Sequence, residues 1–117
     1  MSDARKSERF DVAAGAMSPV MFLGRDGAAL TVSPGSGGTM QVFKSMSTYA
    51  DIQADLDGGS LSYANLVAGT QPVNSRWQPW ASGSVTVMTN EGPFESVGDT
   101  AVVAVATTQP GRLEVAR

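Results

Sequence analysis

At 117 residues the chain is long enough for one domain with one hydrophobic core and too short for two. It contains no histidine and no cysteine, which removes the usual general base at neutral pH, the thiolate nucleophile, any disulfide, and the imidazole and thiolate metal ligands. A net charge of −3 argues against a nucleic-acid partner, because phosphate binding needs a basic stripe.

Residues 1–9 are polar and charged, with apolar Met1 and Ala4 only, and read as an N-terminal arm ahead of a single domain over 10–117. The arm has no apolar stretch of the kind a secretory signal carries, and no later run approaches the ~20 apolar residues that cross a bilayer. The expectation is a protein made in the cytoplasm with no membrane partner. Arg5, Lys6 and Arg9 gather the only basic cluster. The arm is expected to stay mobile alone and to order against an acidic neighbour. Phe10 to Ala16 shows no period.

Val20-Met-Phe-Leu23 and Ala28-Ala-Leu-Thr-Val32 flank Gly24-Arg-Asp-Gly27, which predicts a β-hairpin over 20–32. Ser33-Pro-Gly-Ser-Gly-Gly38 is a loop by composition, and Met40 to Met46 alternates like a strand. Ser47 to Leu56 fits a short helix capped at Ser47 or Thr48, with Tyr49, Ile52 and Leu56 on one face; two short strands are the alternative. Leu61 to Val67 has strand-like members.

The C-terminal half is plainer. Trp77-Gln-Pro-Trp80 is kept out of helix by Pro79. Val85 to Thr89 predicts a strand with Val85 and Val87 on one face, followed by a turn at Asn90-Glu-Gly-Pro93. Thr100 to Thr107 is apolar on both faces, so it belongs at the centre of a sheet or between layers. Leu113 to Arg117 is the last strand, with Leu113 and Val115 inward. Short strands separated by turns at near-regular spacing specify an all-β fold, an antiparallel β-sandwich or jelly-roll-like barrel with an extended N-terminal arm. The predicted core is Val85, Val87, Val103, Val105, Leu113 and Val115, faced by Phe22 and by Val42 or Phe43.

Candidate chemistry is sparse. Asp51, Asp55 and Asp57 ahead of Gly58-Gly59 faintly resemble a calcium loop, but the closing Glu is missing and an Asp-Gly turn accounts for them. Gly35-Ser-Gly-Gly38 lacks the Lys and the following helix of a phosphate cradle. Glu91, Glu95 and Asp99 could supply a glycosidase pair, yet they surround a turn in a chain too small for a deep sugar cleft. No enzyme activity, cofactor or metal is expected. Trp77 and Trp80 either cap the core or form a contact platform for sugar or protein.

Trp77-x-x-Trp80, Gly83-Ser-Val-Thr-Val, a Gly-Pro turn, Thr100 to Thr107 and Gly111-Arg-Leu-Glu-Val together resemble small virion proteins of tailed bacteriophages, namely head decoration (cement) proteins and fibre or tail-attachment modules. The resemblance covers residues 39–117 and rests on residue flavour and turn spacing; residues 47–74 depart from it. It implies a β-sandwich or jelly roll, a homo-oligomer (dimer or trimer), and docking onto the major capsid protein or another virion protein. It brings no catalytic residues. The implied function is a capsid decoration protein located in the virion, with Arg5, Lys6, Arg9, Trp77 and Trp80 as interaction residues; the alternative is a receptor- or glycan-binding tip using Trp77 and Trp80.

Overall fold

A computed structural model describes residues 7–23, 28–45, 47–68, 77–80, 82–94 and 100–116. Its strands are β1 (Ser7–Val12), β2 (Ala16–Met17), β3 (Met21–Leu23), β4 (Ala28–Pro34), β5 (Thr39–Ser45), β6 (Gln78–Pro79), β7 (Thr89–Phe94), β8 (Thr100–Thr107) and β9 (Gly111–Ala116). Two helices, α1 (Tyr49–Asp57) and α2 (Tyr63–Ala68), lie between β5 and β6 in the chain.

The strands form two antiparallel sheets packed face to face, a β-sandwich. The first sheet has the order β1-β9-β4-β7. In the second, β8 lies between β5 and the successive short strands β2 and β3, and β6 adds to the far side of β5. Alternation along β8 explains its composition. Val102, Ala104 and Ala106 point between the sheets, where they meet Val12, Leu30, Val32, Met40, Val42, Leu113 and Val115. Ala101, Val103 and Val105 point the other way, into a second apolar layer with Phe43, Ile52, Leu61, Leu66 and Trp77. The helices therefore roof the outer face of the second sheet, and β8 is buried on both sides.

The roof begins where the sequence places it. Thr48 caps α1, its Oγ1 accepting from the Asp51 amide at 3.2 Å, and the helix ends at Gly58. Ile52 is buried and Leu56 half-buried, whereas Tyr49 sits at the helix start, 64% exposed, against the Phe22 ring. The strand-like segment Leu61 to Val67 is instead the short helix α2. Ser62 Oγ accepts from the Asn65 amide at 3.2 Å, and Asn65 Nδ2 donates to the Ser60 carbonyl at 2.7 Å. These local bonds start a helix that inward-facing Leu66 then anchors.

Four other expectations need correction. The segments flanking 24–27 do not form a hairpin: β3 pairs with β8 and β4 with β9 and β7, so the chain changes sheet there. Turn composition marks a break in a strand but does not choose its partner. Ser7 to Arg9, read from composition as the end of the arm, belong to β1 and pair with Ala116 to Glu114. The predicted strand Val85 to Thr89 contributes one isolated bridge, Val85 with Met40, and Val87 is 68% exposed, outside the core. The predicted turn Asn90 to Pro93 lies inside β7. Pro93 is tolerated there because β7 is an edge strand, and a register shift opposite Ala28 to Leu30 relieves the pairing.

The two sheet-to-sheet connections β4–β5 and β8–β9 touch: the Gly35 amide donates to the Pro110 carbonyl at 3.0 Å. A side chain at Gly35 would strike that carbonyl, so the glycine is needed for close approach.

Candidate interaction surface

The two tryptophans flank β6 and are both buried, Trp77 at 3% and Trp80 at 2% exposure. Residues three apart on extended backbone point to opposite faces. Trp77 accordingly enters the layer under the helices, and Trp80 enters the space between the sheets. Trp80 is held at both ends: its amide donates to the Val42 carbonyl at 2.9 Å and its Nε1 to the Gly83 carbonyl at 2.6 Å. Trp77 Nε1 is buried with no hydrogen-bond partner among the described residues. The pair is a core element and presents no aromatic platform. The odd spacing was the available signal, since a platform on a strand needs an even one.

Arg5 and Lys6 lie outside the described residues. Arg9 is exposed on β1 and stands opposite Glu114 of β9. Asp11 stands opposite Arg112, whose Nε lies 3.6 Å from the Asp11 Oδ1. These four charges alternate on the outer face of the first sheet. Beside them on β4 lie Ala29, Thr31 and Ser33, and Thr31 Oγ1 donates to Asn90 Oδ1 at 2.6 Å. Two shallow depressions open on this face, one of about 500 Å³ bordered by Arg9, Thr31 and Glu114, the other of about 340 Å³ bordered by Asp11, Ser33 and Arg112.

The sandwich is thus asymmetric. Helices cover the outer face of the second sheet, whereas no described helix or loop covers the outer face of the first. That bare face is broad, pleated and lined by short or charge-balanced side chains. Composition alone could not locate it, because the residues that build it come from four strands distant in sequence.

The carboxylates weighed for calcium are dispersed by α1. Asp51 lies in its first turn, where the helix dipole favours an anion, Asp55 is buried, and Asp57 accepts from Gln53 Nε2 at 3.1 Å. Among the described residues no three His, Cys, Asp or Glu side chains are grouped to hold a metal ion. Glu95 and Asp99 lie outside the described residues, as does the side chain of Glu91. No protein family, characterised protein or solved structure matches the chain.

Proposed function

We propose that this chain is a structural protein of a tailed-phage particle, a capsid decoration protein that docks on the assembled head through the bare outer face of the first sheet. The observation that carries the proposal is the asymmetry of the sandwich: one outer face is roofed by helices, the other is polar and, among the described residues, uncovered. A protein that binds only the assembled shell stabilises that shell by mass action. Many symmetric copies multiply a modest energy per site. The resemblance of residues 39–117 to small virion proteins supports the same reading, as does a surface with few charges. The fibre-tip alternative loses its support, because the aromatic platform it needs is buried.

The test is co-sedimentation of the full chain with naked heads, unassembled capsid subunits and isolated tails of the phage that encodes it. Binding to heads alone is expected, and Thr31→Arg, which places a bulky charge in the middle of the bare face, should reduce it. Binding to tails alone, or to heads with Thr31→Arg unaffected, overturns the proposal.

A further inference from the structure

The sheet edges of this molecule are not equivalent. An exposed edge is a template for another strand, and proteins blunt edges with proline, bulges, very short strands or charges that repel an incoming strand. β7 carries Pro93 and a register shift, β6 is two residues long and includes Pro79, and β2 and β3 are interrupted at Pro19. β1 has no proline and no bulge; its charges are of both signs, Glu8 at the parity of Phe10 and Val12, and Arg9 and Asp11 on the outer face. It is six residues long, regular in its pairing with β9, and among the described residues has a strand neighbour on that side only.

We infer that the outer edge of β1 pairs antiparallel with β1 of a second copy about a two-fold axis centred on Phe10. The occupant is identified by charge. A two-fold axis normal to the sheet keeps outward side chains outward only if residues of like parity face each other. Centring on Arg9 would oppose Arg9 to itself, and centring on Asp11 would oppose Asp11 to itself. Centring on Phe10 opposes Arg9 to Asp11 of the other copy, twice. With the pairs already present within each chain, the outer face would then read Glu114, Arg9, Asp11, Arg112 across four consecutive strands, alternating in sign throughout. Half-buried Phe10, already packed against the core, would meet its own counterpart along the same seam. The pairing extends the sheet in its plane and leaves the bare face open on both copies. The inference sharpens the homo-oligomer expectation but stands on the strand edge alone, so its failure leaves the shell-docking test untouched.

Sedimentation equilibrium of the full chain over a range of concentrations tests it. The wild-type chain should form a dimer that weakens as salt is raised. Arg9→Asp and Asp11→Arg should each weaken it by about tenfold or more, because both contacts then oppose like charges. An equimolar mixture of the two variants should recover the dimer, since each charge again faces its opposite. Because the chain has no cysteine, Phe10→Cys gives a second readout: mild oxidation should cross-link it to a covalent dimer, while Gln109→Cys at an exposed turn should not cross-link. A wild-type monomer at the highest concentration, a trimer, a dimer indifferent to both charge reversals, or a mixture that stays monomeric overturns the inference.

Discussion

Ser18 shows how one side chain can stand in for a strand. β2 and β3 pair with opposite ends of β8 and leave the middle of that edge without a neighbouring strand. Ser18 fills the gap: its amide donates to the Ala104 carbonyl at 2.8 Å, and its Oγ accepts from the Ala104 amide at 2.9 Å. The hydroxyl donates in turn to the Pro19 carbonyl at 3.1 Å. Ser18 and Ala104 are both buried, so bulk water does not reach the bond. Ser18→Ala should therefore leave a buried amide unpaired and cost roughly 1–3 kcal/mol, read as a lower urea midpoint at unchanged slope. A variant as stable as wild type would show that the backbone closes the gap by itself.

At the scale of elements, legibility followed periodicity. β5, β8, β9 and α1 were readable because each carries its own repeat: the two-residue alternation of Leu113 and Val115, the unbroken apolar run of β8, the capped spacing of Ile52 and Leu56. What could not be read was partnership. Nothing local tells β3 to join β8 and β4 to join β9, and nothing in Thr89 to Phe94 outweighs the turn signature of Gly92-Pro93 except the neighbour it pairs with. The same limit hid the bare sheet face, whereas the burial of Trp77 and Trp80 was among the alternatives their composition allowed. Val87 and Val103 separate the two kinds of information. Both are valines in apolar stretches, yet Val87 is 68% exposed and Val103 is buried beneath the helices. Val87→Asp should shift stability by less than about 0.5 kcal/mol, as surface substitutions do. Val103→Asp should abolish soluble folding, because an unpaired buried charge costs several kcal/mol against a total of roughly 5–15. Cooperative melting of both variants at similar temperatures would show that the helices do not seal the outer face of β8.

At the scale of the whole molecule the question is where the domain starts. Composition sets the boundary at Phe10, but backbone pairing reaches back at least to Ser7. The difference arises because Ser7, Glu8 and Arg9 carry no apolar signal; their place in β1 comes from pairing with β9, and from Phe10 and Val12 just beyond them, which pack into the core. Two deletions discriminate the boundaries. Removing residues 2–6 should leave the melting temperature within a degree or two, since that stretch holds no apolar residue but Ala4 to bury. Removing residues 2–9 takes half of β1 and loosens the anchorage of Val12, whose full burial is worth roughly 1.5–3 kcal/mol. It should therefore cost about 2–3 kcal/mol and, by deleting Arg9, dissolve the β1-mediated dimer as well. Equal melting of the two truncations would put the boundary back at Phe10. The shorter deletion also isolates the basic pair Arg5 and Lys6 from the strand. If they tether the protein to an acidic shell, the chain lacking 2–6 should fold and dimerise as wild type but decorate heads less well and with a weaker response to salt, because each exposed ion pair adds at most ~1 kcal/mol and only repetition over the lattice makes it count. Unchanged decoration would assign all of the docking to the folded domain.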